Sequence, residues 1–282
     1  MIPFFDSWSA ATSKPTPYYW GYNTTLCGRK IERCVYKVVH QGGNNVATDT
    51  LAQSEVQQSV RTWTRKQISF LFMLAFFLFV PAGTLAWLGG WLQMIAYSAI
   101  TIFNVSILTT RVPELIAERS KLQSGSKPWD VWLVMLAALV MPVLTWVIAG
   151  LDFRNGWSTP LPLGWMIIGV VLFIVGYMIT TWAMLSNNFF SATVRIQSER
   201  GHRVATGGPY AYVRHPGYVG AILFQIVSPL MLGSLWAFIP SIISVVLFVV
   251  RTYLEDRTLQ AELPGYQEYT QRTRYRLLPG VW

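Results

Sequence analysis

The stretch RHPGYVGAILFQIVSPLMLGSLWAFIPSIISVVLFVVRTYLE, residues 214–255, decides the fold. It contains two apolar runs, Tyr218–Leu232 and Leu235–Val250, which are separated only by Gly233-Ser234. A glycine permits the sharp turn that so short a connection requires. We therefore predict a tight helical hairpin, with charged residues at both of its open ends.

Each arm of the hairpin contains a proline, Pro229 or Pro240, which predicts a kink. The composition is 52% hydrophobic and only 12% charged, which is typical of a membrane protein. Since a spanning helix needs about 20 apolar residues, we predict an all-α integral membrane protein with about six transmembrane helices. The four spans before the hairpin are Ile68–Leu88, Trp91–Thr110, Val131–Ala149 and Leu163–Leu185.

The chain is basic, with 22 Lys and Arg against 13 Asp and Glu and a net charge of +9. The basic residues lie between the apolar runs and not on one polar face, which argues against a nucleic-acid partner. Nearly all of them fall in alternate loops, whereas the opposite loops hold only Arg154. Because cytoplasmic loops are enriched in Lys and Arg, we predict that both termini are cytoplasmic.

Residues 1–60 are polar, which predicts an amino-terminal tail. Residues 61–282 are predicted to form the multi-pass membrane domain. Leu26–His40 and Leu51–Gln67 have helical periodicity. The alternative to a flexible tail is therefore that these two segments form short helices at the membrane interface.

Two polar stretches, Asn187–Gly217 and Arg251–Trp282, flank the hairpin and should meet in space, which predicts a site there. Arg251 and Glu255 are four residues apart on one helical face, so an intrahelical salt bridge is the simpler alternative to a ligand contact. The three histidines have no His or Cys partner at metal-ligand spacing, which argues against a metal. The residues alone therefore predict a cytoplasmic-facing site for an anionic or zwitterionic amphiphile.

Several motifs from residue 188 onward resemble the isoprenylcysteine carboxyl methyltransferase family, closely over 188–282 and loosely from residue 68. One shared motif of that family resembles Arg111-Val112-Pro113-Glu114-Leu115 with the following Glu118-Arg119. The motifs that carry the resemblance are Gly208-Pro209-Tyr210, Val213-Arg214-His215-Pro216-Gly217-Tyr218-Val219-Gly220, Arg251…Glu255-Asp256…Leu259 and Tyr266…Tyr269…Arg274-Tyr275-Arg276…Pro279.

The resemblance implies a cofactor region within 188–282 that binds S-adenosyl-L-methionine. It also implies that Arg251 binds the carboxylate of the substrate and that Arg251, Glu255 and Arg214 are catalytic. The implied cofactor contacts are Gln197, His202, Arg203, Val204, Ala205, Tyr210, His215, Pro216, Gly217, Tyr218 and Glu255.

By the same resemblance, the expected reaction is methyl transfer to the carboxylate of a lipophilic, prenylcysteine-like substrate at the cytoplasmic membrane face. The expected partners are a lipophilic or prenylated substrate and membrane lipids, in a bacterial inner membrane rather than the endoplasmic reticulum. The alternatives are N-methylation of a phospholipid or other lipid amine, a nicotinamide-dependent membrane reductase, and a scaffold without enzymatic activity.

Overall fold

A computed structural model describes the backbone of residues 31–120 and 125–282 and the side chains of 53–119 and 125–282. Within these ranges every regular element is helical. In chain order the α-helices are α1 Ile31–Ala82, α2 Leu88–Arg111, α3 Pro113–Ser120, α4 Pro128–Met135, α5 Met141–Asn155, α6 Leu163–Leu185, α7 Pro216–Leu232, α8 Phe238–Glu262 and α9 Tyr266–Arg272. A π-helical turn, Leu136–Val140, joins α4 to α5, and short 3-10 turns lie at Ser198–Arg200 and Gly208–Ala211.

Five of the described segments are long and apolar enough to cross a membrane. They lie in α1, in α2, in the continuous run from α4 to α5, in α6 and in α8, whereas α7 is a shorter apolar helix of 17 residues. The prediction of an all-helical integral membrane protein is confirmed. That all six apolar helices cross the bilayer stays a prediction.

The predicted boundaries of the first two spans were wrong. The first helix ends at Ala82 and not at Leu88, because Gly83 adopts a left-handed φ of 68°. Gly89 was expected in a loop but lies in α2, where a Cβ on it would stand 2.5 Å from the carbonyl oxygen of Leu232. The glycine therefore allows the start of α2 to pack against the end of α7.

The hairpin is confirmed, but its second arm differs from the prediction. α7 ends at Leu232, the following Gly233 has a φ of 72°, and α8 begins only at Phe238. Pro240 is therefore in the first turn of α8, where its missing N–H costs no hydrogen bond, and it does not kink the middle of an arm. α8 then continues to Glu262, which carries Arg251 and Glu255 beyond the apolar run on the same helix.

The predicted boundary near residue 60 falls inside α1. Val60 and Trp63 pack against a buried cluster that contains Leu108 and Ile116. One compact unit of the chain consists of Ala52–Trp282. The part of the predicted segment Leu26–His40 that precedes residue 31 lies outside the described residues.

A close crossing of α6 and α7 holds the helices next to the site in position. A Cβ on Gly220 would stand 2.3 Å from the carbonyl oxygen of Gly176, and one on Gly176 would stand 2.8 Å from that of Gly220. Two backbones approach this closely only where side chains are absent. The crossing places the first turn of α7 beside the last turns of α6, where the cavity described next opens.

Candidate active site

A cavity of about 330 Å³ lies at the end of the bundle where α7 begins and where α8 leaves its apolar run. This volume is within the range of small-molecule sites. Its wall combines apolar residues of the helices, such as Val134, Phe224 and Phe248, with charged and aromatic residues of the helix ends and the connecting segments. Eleven predicted site residues line it: His202, Arg203, Val204, Ala205, Tyr210, Arg214, His215, Gly217, Tyr218, Arg251 and Glu255.

Asp256 is fully buried behind this wall and fixes the charged end of the hairpin. Its carboxylate accepts two hydrogen bonds from Arg214, Nε to Oδ1 at 2.8 Å and Nη2 to Oδ2 at 2.9 Å. Arg276 donates to Oδ2 at 2.8 Å, and the Tyr266 hydroxyl donates to Oδ1 at 3.1 Å. His215 Nε2 lies 3.2 Å from Oδ1. One carboxylate therefore ties the start of α7, α9 and the segment after α9 to α8.

Arg214 also binds the carboxyl-terminal segment through its remaining groups. Its Nη1 donates to the carbonyl oxygens of Thr273 at 3.2 Å and Arg274 at 2.8 Å, and its backbone N–H donates to Tyr275 at 2.9 Å. Arg214 lines the cavity, but these bonds occupy most of its donors. The structure therefore favours a positioning role for this predicted catalytic residue.

Arg251 forms a buried, bidentate ion pair with Asp130 near the start of α4. Its Nε donates to Oδ1 at 2.5 Å, and its Nη2 donates to Oδ2 at 2.9 Å and to the carbonyl oxygen of Ala192 at 2.9 Å. Asp130 also accepts the backbone N–H of Val194 at 2.7 Å. The alternative of an Arg251–Glu255 salt bridge is therefore wrong. The Nε and Nη2 donors of Arg251, which were expected to bind the substrate carboxylate, are already occupied by Asp130. Nη1 of Arg251 donates to no described residue.

Glu255 instead faces Tyr218 across the cavity. The Tyr218 hydroxyl donates a short hydrogen bond to Oε2 of Glu255. The guanidinium carbon of Arg251 lies 5.2 Å from the centre of the Tyr218 ring, a cation–π distance. Tyr218 thus connects the two residues that the sequence predicted to act together.

The segment that closes one side of the cavity is organised by Gln197 and His202. Gln197 is fully buried, donates from Nε2 to the carbonyl oxygen of Phe189 at 2.8 Å and accepts from Arg200 at 2.5 Å. The His202 ring stacks on Phe189 at 4.7 Å between centroids. Burial, together with the charges of Arg195 and Arg200, lowers the pKa of His202, so the ring is neutral at neutral pH.

Two predicted cofactor residues, Gln197 and Pro216, do not line the cavity. Gln197 has its side chain committed to the loop backbone, and Pro216 is the first residue of α7. Both hold the wall in position in this structure, and their contact with a cofactor stays a prediction.

Tyrosines of α9 cover the cavity from the side of the carboxyl-terminal segment. Tyr266 and Tyr269 are buried with Leu263 against Tyr210. The Tyr269 hydroxyl donates to the carbonyl oxygen of Tyr210 at 2.6 Å, and burial raises the pKa of Tyr269 to about 12. Burial also raises the pKa of Tyr266 and Tyr210, so all three are neutral hydrogen-bonding groups. Leu263, Tyr266 and Tyr269 thus close this side of the cavity.

Several wall residues lay outside the sequence prediction. Asn187 donates from its amide to the Tyr210 hydroxyl at 3.3 Å, and Arg119 donates to the carbonyl oxygen of Phe190 at 3.2 Å. Arg119 belongs to a charged turn that the sequence did identify, but Asp130 carried no motif. The only indication of a role for Asp130 in the sequence is that it is an isolated carboxylate at the start of an apolar run, where an unpaired charge is costly.

Among the described residues, no three His, Cys, Asp or Glu side chains come together as metal ligands. The charged groups of the cavity wall are guanidinium groups and a single carboxylate, that of Glu255.

Residues 167–261 match the profile of the isoprenylcysteine carboxyl methyltransferase family. Among curated proteins, the probable protein-S-isoprenylcysteine O-methyltransferases of Oryza sativa subsp. indica and subsp. japonica are each 28% identical over 116 residues, covering 37% of this chain and 56% of the relative. The cobalt-zinc-cadmium resistance protein CzcN of Cupriavidus metallidurans is 32% identical over 139 residues, covering 46% of this chain and 58% of that protein. The chain thus spans somewhat over half the length of the curated relatives it matches.

Among solved structures, the eukaryotic intramembrane Ras methyltransferase ICMT aligns with a TM-score of 0.47 and 19% identity, covering 76% of this chain and 75% of that chain. The matched segment 167–261 includes most of α6, all of α7, nearly all of α8 and the loop with His202, and it contains all of the predicted site residues. The resemblance to the isoprenylcysteine carboxyl methyltransferase family therefore lies in residues 167–261, which form most of the cavity wall.

Proposed function

We propose that this protein transfers a methyl group from S-adenosyl-L-methionine to the carboxylate of a lipophilic, prenylcysteine-like acceptor at the cytoplasmic face of a membrane. The observation that carries the proposal is the composition of the cavity wall. Its polar part is built from the family motifs, and its apolar part comes from apolar helices, among them the α4–α5 run and α8, which are long enough to cross a membrane.

The apolar part suits a lipid chain. Val134 and Ala138 come from the run between α4 and α5, and Phe224 and Phe248 come from the two arms of the hairpin. These residues offer no hydrogen bonds, so a ligand group placed among them gains by burying apolar surface. The polar head of such a ligand would then lie at the Arg251 and Glu255 end.

The polar part fits S-adenosyl-L-methionine by its chemistry. Glu255 provides a carboxylate that can accept from an ammonium or from ribose hydroxyls, and the Tyr218 and Tyr210 rings provide faces that attract positive charge. The neutral His202 and the backbone of 203–205 can hydrogen-bond a base or a sugar. When bound, this cofactor supplies an electrophilic methyl group.

The residues of the chain have three tasks in such a reaction. The first is orientation, because holding two reactants together lowers the barrier by restricting their motion. The second is to position the acceptor carboxylate, to which Arg251 can offer only Nη1, because Asp130 occupies its Nε and Nη2. The third is to exclude water, for which the wall of Leu263, Tyr266 and Tyr269 is placed. A carboxylate needs no general base.

Two other activities remain as competitors. Transfer to a lipid amine would require deprotonation of an ammonium, so its rate should rise with pH through the pKa of the amine. A carboxylate acceptor is ionised throughout the neutral range, so its rate should be flat there. A nicotinamide-dependent reductase would bind NADPH and ignore S-adenosylhomocysteine.

The test is methyl transfer from labelled cofactor by the protein in proteoliposomes, with N-acetyl-S-farnesylcysteine and phosphatidylethanolamine as alternative acceptors. We expect a base-labile methyl ester on the cysteine derivative and a rate that is constant from about pH 6.5 to 8. Label in the amine headgroup alone, or none in either acceptor, would contradict the proposal.

A further inference from the structure

Five arginines line the cavity, and three of them are neutralised by carboxylates of the protein. Arg214 pairs with Asp256, and Arg251 with Asp130. The third, Arg195, lies within salt-bridge distance of both Glu118 and Glu199. Arg203 is exposed at the rim of the cavity. These four do not supply a sheltered positive charge for an anionic ligand.

Arg119, the fifth, differs from the others. It lies in the last turn of α3, and its described hydrogen bond runs from Nη1 to the carbonyl oxygen of Phe190. Within the part of the chain that the structure describes, no carboxylate lies within salt-bridge distance of it. Nε and Nη2 of Arg119 are therefore left for a ligand in the cavity.

The position of Arg119 is set by Phe190. The guanidinium carbon lies 5.1 Å from the centre of the Phe190 ring. Phe190 in turn occupies the space beside Gly217, because a Cβ at that position would stand 2.7 Å from the ring. The glycine after Pro216 thus makes room for a ring that supports a cation at the site.

We propose that Arg119 binds the carboxylate of the methyl acceptor and so selects acidic acceptors over neutral or cationic ones. The inference rests on the proposed function and assigns this role to a residue other than the expected Arg251. A guanidinium with two free neighbouring donors can hold a carboxylate with charge-assisted hydrogen bonds. Arg251, whose Nε and Nη2 already hold Asp130, can add one further bond but no net charge.

Arg119 keeps its charge under working conditions. Burial and the nearby charge of Arg251 lower the pKa of Arg119 to about 10. The group is protonated below that value and therefore positive throughout the neutral range. Its closeness to Arg251 also places it at the polar end of the cavity, where the acceptor head would lie.

The experiment measures how strongly the protein distinguishes an acid from its amide. Calorimetry on detergent-purified full-length protein saturated with S-adenosylhomocysteine gives the Kd of N-acetyl-S-farnesylcysteine and of its carboxamide, without turnover. The variants are Arg119→Gln and Arg119→Lys, with Arg272→Gln as a matched removal of an exposed positive charge at the end of α9. Binding of S-adenosylhomocysteine itself shows that each variant is folded.

We expect the wild type and Arg272→Gln to prefer the acid by about tenfold to a hundredfold, the range for a charged hydrogen bond. Arg119→Gln should bind acid and amide alike, and Arg119→Lys should retain part of the preference, while both keep the wild-type affinity for S-adenosylhomocysteine. If Arg119→Gln fails to fold, Arg119→Lys decides the matter, and an undiminished preference in it overturns the inference.

The inference and the proposed function fail in different ways. If the wild type methylates the acid but Arg119→Gln keeps its full preference, the role of Arg119 is refuted and the methyltransferase proposal stands. If the wild type methylates no carboxylate at all, the proposed function is refuted and the role of Arg119 falls with it.

Discussion

At the scale of single residues, two buried aspartates determine what the arginines of the site can do. Asp256 and Asp130 each have a fully buried side chain and each holds one arginine in a bidentate pair. A charge removed from water is stable only when it is paired and its remaining lone pairs are hydrogen-bonded. Asp256 meets this requirement with donors from four other residues besides Arg214, and Asp130 with the backbone of Val194. Both aspartates therefore have positioning roles behind the groups that face the cavity.

Replacing Asp256 should destabilise the fold strongly. Asp256→Asn keeps the side-chain shape but leaves Arg214 and Arg276 near a neutral group, and breaking a buried pair from one side costs about 3–5 kcal/mol. Thermal unfolding in detergent measures the change. The control is Glu262→Gln, which removes a half-exposed partner of Lys127 and should cost less than about 1 kcal/mol. Equal, small shifts for the two variants would show that the Asp256 network does not stabilise the fold.

The sequence could predict the residues of the hairpin flanks but not all of their partners. Arg251 and Glu255 were expected to share a helical face, and they do, since both lie on α8. What separates their roles is Asp130, which is 121 residues from Arg251 along the chain. No local pattern encodes a contact over such a distance, so the guanidinium group of Arg251 was expected to have no partner within the protein. The same reason hid the contact of Arg119 with Phe190, which are 71 residues apart.

At the scale of helices, glycines on facing surfaces decide how closely α6 and α7 approach. Gly169 and Gly176 on α6 meet the backbone of Met231 and Gly220 on α7. The sequence predicted both helices from their apolar length, yet it did not identify which glycines face each other. The rotation of a helix about its own axis depends on its packing against neighbouring helices. The length and the hydrophobic period of the segment do not determine it. Helix existence was therefore predictable, whereas the crossing that places the cavity was not.

Adding one methyl group at this crossing should separate the two helices. In Gly220→Ala the new Cβ would stand 2.3 Å from the Gly176 carbonyl oxygen and from the Thr180 hydroxyl, and overpacking of this kind costs about 1–3 kcal/mol. The matched control is Gly164→Ala in the first turn of α6, where no atom lies within 4 Å. We expect a lower thermal midpoint and weaker S-adenosylhomocysteine binding for the first variant and no loss for the second. A fully stable Gly220→Ala protein would contradict the close crossing.

At the scale of the whole molecule, the distribution of charge predicts the orientation in the membrane. The cavity, its arginines and the carboxyl-terminal segment lie where α7 begins and α8 ends its apolar run. The loop between α5 and α6, which follows Arg154, is short and carries no further Lys or Arg. Because lysines and arginines are retained on the cytoplasmic side, the site and both termini are predicted to face the cytoplasm.

Labelling of single cysteines in intact bacterial cells tests this orientation. In a variant with Cys27→Ser and Cys34→Ser, Thr159→Cys lies in the loop between α5 and α6, and Gln271→Cys lies at the end of α9. Both positions are exposed in the structure. A membrane-impermeant maleimide should label position 159 in intact cells and position 271 only after permeabilisation. The reverse pattern would place the site on the outer face.

The most direct test of the account is calorimetric titration of the detergent-purified wild-type protein with S-adenosylhomocysteine, beside Glu255→Gln and the exposed control Glu268→Gln. We expect saturable binding of one molecule per chain, equal affinity in Glu268→Gln, and a loss of about tenfold or more in Glu255→Gln, because a charged hydrogen bond is worth about 1.5–3 kcal/mol. NADPH should produce no binding heat. A folded wild-type protein that binds NADPH and not S-adenosylhomocysteine would contradict the assignment of this cavity to methyl transfer.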